Sequence, residues 1–402
     1  MTPASSPPHL PTLILMTALS TLSLNMFLPS LANIATEFDT SYATVSLSIA
    51  GYLAVTAVVQ LVVGPLSDRI GRRPVVLGTV GIFVAASIGC TLATDIWTFL
   101  GFRMLQAAMV AGHAMSMAIV RDTRTERQAA GTLAFISMSM AVAPMLGPMV
   151  GGTLDTLFGW RASFWFYTGS GVALLLLCWI DLGETYPRRD RKPGDAPPGR
   201  PVDLLRLAPF WGFALCSMSS VGAFYVFLAG APLVAAETFG ISTATLGLFI
   251  GSITMGFVCG TFLSTRLSKR FDITTMMLAG RLAACAGLGT GLVILLSGHL
   301  HIATYFGATI FVGLGNGLTV PSAYAGALSV RPDLAGTAAG VNGALIVGAG
   351  AGLTLVTGAL MEATDAPVTL LSIMFGTSFA GLLATLWSRR MRAALQREIP
   401  TD

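Results

Sequence analysis

Apolar residues in this chain fall into long, almost unbroken blocks separated by short polar stretches, with no two-residue alternation of the kind a half-buried strand shows. A helix needs ~20 mostly apolar residues to cross a bilayer. Blocks of that size lie at 11–32, 43–66, 75–93, 96–120, 129–153, 162–182, 209–236, 243–265, 275–297, 301–328, 334–361 and 366–388. The pattern predicts an all-α membrane protein with twelve transmembrane helices. The longest polar stretch, 183–208, is rich in Pro, Gly and charge and cannot span a membrane. It divides the chain into an N-terminal six-helix bundle (1–182) and a C-terminal one (209–388), with 389–402 as a tail.

Composition agrees. Of 402 residues, 54% are hydrophobic and 10% charged, and mean hydropathy is +0.75; a typical soluble domain is about 25% charged. The start, MTPASSPPHLPT, has no Lys or Arg. A cleaved signal peptide needs a basic start, so the first block is expected to stay as a membrane helix. The five cysteines, Cys90, Cys178, Cys216, Cys259 and Cys285, lie singly in apolar runs and form no metal or disulfide pattern. A net charge of +4 indicates no nucleic-acid partner.

The distribution of charge is more informative than its sum. Between spans two and three lie Arg69, Arg72 and Arg73, and between four and five Arg121, Arg124 and Arg127. The mid-chain stretch holds Arg188, Arg189, Arg191, Lys192, Arg200 and Arg206. After span eight come Arg266, Lys269 and Arg270, after span ten Arg331, and after span twelve Arg389, Arg390, Arg392 and Arg397. Only Arg161 falls in a gap of the other parity, while Arg103 and Arg281 sit inside spans. Short Lys/Arg-rich loops remain cytoplasmic, so both termini are expected in the cytoplasm. The halves also echo each other: GPLSDRIGRRP (64–74) follows span two and GTFLSTRLSKRFD (260–272) follows span eight. Duplicated halves with a substrate site between them are a transporter design.

Two motifs carry chemistry. Gly64, Asp68, Arg69, Gly71, Arg72 and Arg73 mark a tight turn in which Gly71 permits positive φ. In span five, Pro144 and Pro148, like Gly147 and Gly151, are four residues apart, and Gly152 follows. Small residues at that spacing allow close helix approach, and the prolines free backbone carbonyls. The first motif closely resembles the signature loop of the major facilitator superfamily, and the second its drug exporters' antiporter motif. The stretches FLPSL, YVFLAGAPLVAAETFGIS, RDT after span four and AGTAAGVNGALIVGAGAG (335–352) are similar to Bcr/CflA drug-resistance exporters. The resemblance covers nearly the whole chain.

It implies a secondary transporter in the bacterial inner membrane, not an enzyme, working as a monomer without cofactor or metal. The transporter would export small amphipathic compounds in exchange for protons. The resemblance also implies that Asp68 meets the positive end of span eleven, that Arg72 pairs with Asp122 as a gate latch, and that Arg103 serves proton exchange. A charge at the hydrocarbon centre costs ~3 kcal/mol or more; the alternative for Arg103 is a side chain that snorkels to the surface.

The chain departs from the family in one place. Asn25 stands where these exporters usually carry a span-one acid, and all 19 acidic residues fall in loops or at span ends. His113, ten residues from Arg103, is the one histidine well inside a span. It either carries or relays the proton or is a packed neutral imidazole; Glu237 and Asp155 are weaker candidates. The expected cavity-lining residues are Asn25, Phe27, Tyr52, Gln106, His113, Phe224, Tyr225, Asn316, Tyr324 and Asn342. Aromatic and amide groups suit variable amphipathic ligands, and the missing acid favours neutral or zwitterionic ones. A narrow metabolite facilitator, with or without proton coupling, is the second reading. No nucleophile–base set or GxxxxGK[ST] loop supports an enzyme or an ATP-driven pump. The span-eleven series Gly336, Gly340, Ala344, Gly348 and Gly352 reads as a close-packing stripe.

Overall fold

The computed structural model of the protein describes residues 8–123, 126–185, 204–331 and 334–398. Among these, every regular element is helical. In hydrocarbon a backbone must satisfy its own hydrogen bonds, which the helix does within one segment. Among the described residues nine helical segments, counting Leu10–Glu37 as one, are long and apolar enough to cross a membrane. Large apolar side chains such as Leu92, Ile180 and Val293 lie on their outer surfaces. The chain forms two compact units, Met1–Ala196 with Gly240–Gly251, and Pro197–Phe239 with Ser252–Asp402.

In the first unit, α1 (Leu10–Asn25), a 3-10 turn at Leu28–Ser30 and α2 (Leu31–Glu37) make the first apolar block. The sequence predicts one continuous helix there. It breaks because Pro29 offers no N–H to continue the ladder. α3 (Tyr42–Ile70) starts on Ser41, whose side chain accepts from Thr44 N at 3.1 Å, and runs through Pro65. α4 (Arg72–Leu92) follows after a single residue, Gly71, at φ 99°. The fourth block is also broken, into α5 (Ile96–Gln106), a 3-10 turn at Ala107–Met109, and α6 (Val110–Thr123). α7 (Glu126–Phe158) and α8 (Arg161–Asp181) complete the set.

The core of this unit is aromatic. Phe99 and Phe164 meet edge-to-face with centroids 5.4 Å apart, and Trp160, Phe38, Phe27, Tyr167 and Phe83 extend the cluster.

α9 (Ala208–Glu237), α10 (Thr243–Leu267), α11 (Ile273–Leu296), α12 (Ile302–Ser329), α13 (Ala335–Ala363) and α14 (Ala366–Glu398) follow. The first turns of α10, to Gly251, belong to the first unit. α14 carries its helix through 389–398, residues the sequence reads as tail. Most of the 183–208 stretch lies outside the described residues, as do the side chains of Arg121, Arg124, Arg127, Arg188, Arg189, Arg191, Lys192, Arg200, Arg392 and Arg397.

Glycine sets the spacing in the second unit. A Cβ on Gly313 would overlap the Ile253 carbonyl oxygen, and Cβ atoms on Gly280 and Gly315 would each overlap the other's carbonyl. α12 is thereby pressed against both α10 and α11. The span-eleven stripe does not do this: Gly340, Gly348 and Gly352 have nothing within 4 Å of a Cβ. On α13 the close contact is at Gly350, against the Tyr225 ring. Periodicity had identified a small-residue face, but not whether anything packs on it.

Two outcomes are expected. Gly313→Ala should destabilise the purified protein by ~1–3 kcal/mol through overpacking, whereas Gly340→Ala should leave the melting temperature unchanged or slightly raised. The second concerns the start of α11. There Asp272 accepts from Thr274 N at 3.1 Å and from the Thr274 and Thr275 hydroxyls. Those bonds, Thr274's first, pull its pKa from 3.8 to about 2. A depressed carboxyl stabilises the fold above its unfolded pKa and loses that contribution as pH falls through the folded value. Asp272→Ala should therefore cost ~0.5–2 kcal/mol at pH 7, as loss of a helix cap does. Paired thermal melts of the two proteins should converge as pH drops through about 2.

Candidate functional site

The two helix breaks lie where the chemistry lies. Ending α1 at Asn25 leaves Ser23 O without a helical partner, and it accepts instead from Arg103 Nη1 at 3.1 Å. Leu22 O, which takes the last helical bond from Met26 N at 3.0 Å, also accepts from Tyr167 OH at 2.9 Å. Arg103 occupies the last turn of α5, just before the second break, where the helix dipole favours a cation. Its side chain is fully buried (0% exposed), so it does not snorkel. Nη1 also donates to Gln106 Oε1 at 2.5 Å, and Gln106 Nε2 donates to Ser87 Oγ at 2.7 Å. The guanidinium lies 4.1 Å from the Phe27 ring centroid and 4.8 Å from that of Tyr52, whose hydroxyl is 2.5 Å from Ser23 Oγ. Nε and Nη2 have no partner. Among the described residues no carboxylate pairs with this cation. Ring faces, carbonyls and an amide oxygen hold it instead; desolvated cation–π contacts are worth ~2 kcal/mol each.

Phe27, Tyr52 and Gln106 thus converge on Arg103. Asn25 stands at the end of α1, buried, with Nδ2 donating to Thr21 O at 2.8 Å and Oδ1 unpartnered. His113, on α6, is half-buried, its Nδ1 without a partner, and makes no hydrogen bond to the Arg103 cluster. The one buried carboxylate among the described residues is Asp155, at the end of α7, accepting from Asn33 Nδ2 at 2.7 Å.

The turn between α3 and α4 is pinned from two sides. Arg72 places Nη1 2.6 Å from Asp68 and Nε 3.1 Å from Asp122 Oδ2, and also reaches Ser67. From the opposite side Glu184, three residues beyond α8, accepts from the backbone N–H of Arg72 at 2.8 Å and of Arg73 at 3.3 Å. It thereby caps α4, whose own N-cap residue, Gly71, has no side chain to do so. A Cβ at Gly71 would strike that carboxylate. Arg73 Nη2 donates to Trp179 O at 3.0 Å and its guanidinium lies 5.6 Å from the Trp179 ring centroid. Arg69 is exposed, and Gly64 has open space around it.

On α7 the small residues serve two faces. A Cβ on Gly147 would press on Leu22 at 3.0 Å, and one on Gly151 would overlap the Met26 carbonyl, beside the α1 break. On the other face, a Cβ on Gly152 would overlap the Thr243 carbonyl, and one on Gly247 the Pro148 carbonyl. Thr243 Oγ1 donates to Gly152 O at 3.1 Å and lies 3.0 Å from Thr156 Oγ1. Pro144 is half-buried within the helix.

In the second unit, Phe224 and Tyr225 are half-buried with centroids 6.1 Å apart. Tyr324 is exposed, and Asn342 is fully buried with neither amide atom partnered. Asn316 Oδ1 accepts from Arg281 Nη2 at 2.6 Å. Arg281, Asp155 and Glu184 are the residues that sequence reasoning undervalued. A charge inside a span is a visible signal for Arg281. Nothing local marks Glu184, whose partners are more than a hundred residues away.

Over residues 13–355 the chain matches the Major Facilitator Superfamily. It is 29% identical to the MFS-type transporter YdgK of Bacillus subtilis (strain 168), covering 91% of each chain. It is 29% identical to a chloramphenicol resistance protein of Pseudomonas aeruginosa (90% of this chain, 87% of that one). Multidrug resistance protein D of Escherichia coli (strain K12) is 28% identical (83% and 84%). Among solved structures, the D-xylose–proton symporter aligns with a TM-score of 0.74 at 15% identity, over 94% of this chain and 96% of that one. A bacterial homologue of the human lysosomal transporter Spinster aligns with 0.73 at 16% identity, over 98% of both. These structural likenesses concern the fold. The protein is a multi-pass membrane transporter, and the chain belongs to the Major Facilitator Superfamily.

Proposed function

We propose that the protein exports small amphipathic compounds across the bacterial inner membrane, in exchange for protons and with both termini in the cytoplasm. The observation that carries this reading is α7, whose glycines meet the α1 break on one face and the start of α10 on the other. Glycine and proline surfaces without interlocking side chains can slide, and the polar side chains on them are neutral hydroxyls, Thr156 and Thr243. The Arg72–Asp68–Asp122 cluster is the latch of the opposite gate. Relatives named for chloramphenicol and multidrug resistance point to the same class of compound.

Arg103 is the coupling residue and His113 a candidate relay. A fixed cation with free donors and no resident carboxylate favours neutral or zwitterionic compounds over strongly cationic ones, with Phe27, Tyr52 and Gln106 supplying aromatic and amide contacts; Phe224, Tyr225 and Asn342 are the candidate contacts of the second unit. A driving force of ~150 mV on one charge is ~3.5 kcal/mol, which sustains a gradient of roughly 300-fold. A narrow metabolite facilitator without proton coupling is the second reading, favoured by Asn25 in the acid's place.

Energised inside-out vesicles with a fluorescent pH reporter test the proposal. Neutral or zwitterionic drugs should collapse the gradient in vesicles carrying the protein and not in vector controls, and His113→Gln should slow that collapse. Labelled compound crossing without proton movement would favour the facilitator.

A further inference from the structure

Arg281 lies in the middle of α11 and is fully buried. Its fork is partly occupied: Nε donates to Thr319 Oγ1 at 3.1 Å and Nη2 to Asn316 Oδ1 at 2.6 Å, while Nη1 has no partner. Thr319 Oγ1 in turn donates its proton to Met277 O at 3.3 Å, so it faces Arg281 as an acceptor. The stem is fixed too, since a Cβ on Gly381 would stand 3.1 Å from Arg281 Cδ. Ionisable groups facing the guanidinium are two thiols, Cys216 and Cys285. Among the described residues no carboxylate pairs with it.

Gly381 on α14 and Cys216 on α9 meet beside the Arg281 stem. Neighbouring positions on those two helices, Ser378 and Ser217, carry fully buried hydroxyls without a partner. A buried cation with one arm of its fork free and no carboxylate partner is the arrangement a protein uses for an anion. An arginine serving only to fill space would be costly against an apolar side chain of equal volume.

We propose that Arg281, with Asn316 and Thr319 orienting its fork, is a binding site for a single negative charge. Its ligand is a small monovalent anion or the carboxylate of a transported compound. The second alternative rests on the export reading above; anion binding itself does not.

Thermal melts of the purified full-length protein, followed by tryptophan fluorescence, test this directly. Bulky gluconate is exchanged at constant ionic strength for chloride, benzoate or acetate, with neutral benzamide as control. A saturable rise in melting temperature is expected. A rise with chloride identifies a free ion; a rise with benzoate but neither benzamide nor chloride identifies a substrate carboxylate. Arg281→Gln should abolish the response, whereas Arg266→Gln, which removes an exposed cation and the same net charge, should retain it. Thr319→Val, a milder change, should weaken binding about tenfold, roughly the worth of one hydrogen bond to a charged group; it serves where Arg281→Gln does not fold. No saturable response to any anion in the wild type would overturn the proposal, as would an unchanged response in Arg281→Gln or, where that variant does not fold, in Thr319→Val. Proton exchange in vesicles is a separate readout, so failure of the export reading would leave this result standing.

Discussion

A helical bundle in hydrocarbon has no water with which to settle a charge, and the first unit is organised around that constraint. Arg103 carries a permanent cation into a dry core, and its support comes from interruptions in the helices. The break after Asn25 frees Ser23 O to accept from the guanidinium; the break after Gln106 places the negative end of a short helix beside it. Phe27, Tyr52 and Phe164 supply ring faces at 4.1, 4.8 and 6.0 Å. The aromatic cluster, the broken spans and the glycines of α7 against Met26 therefore form one construction.

The same physics recurs in the second unit with different parts. Arg281 is held by an amide oxygen at 2.6 Å, as Arg103 is by Gln106 at 2.5 Å, and each has donors to spare. Neither cation has a carboxylate partner among the described residues. An exporter that had kept the span-one acid could neutralise its arginine internally. With Asn25 there, no carboxylate on the first span can do so, and under the proposals above charge balance falls to protons, substrates or ions that come and go.

Much of this was legible beforehand. Block length and hydropathy located the helices, and the Gly64–Pro74 and Pro144–Gly152 patterns marked the tight turn before α4 and the small-residue faces of α7. Pro29 was a visible break signal that block length masked. What could not be read was partnership across long separations: Glu184 on the α4 N-terminus, Arg281 with Asn316 and Thr319, and Asp155 with Asn33. Periodicity also misled at Gly340, Gly348 and Gly352, because a small-residue stripe identifies a face without identifying what it meets. Burial of Arg103 was decided by the aromatic residues above it, which lie on three other helices or turns.

The central claim is that Arg103 is kept for transport at a cost in stability. Arg103→Met, similar in volume and apolar, tests it in one protein, by thermal melting alongside drug-driven proton movement in vesicles. The account predicts a melting temperature unchanged or raised, as when buried charges give way to well-packed apolar groups, together with loss of drug-driven proton movement. A variant that unfolds, or one that still exchanges drug for protons at the wild-type rate, would contradict it.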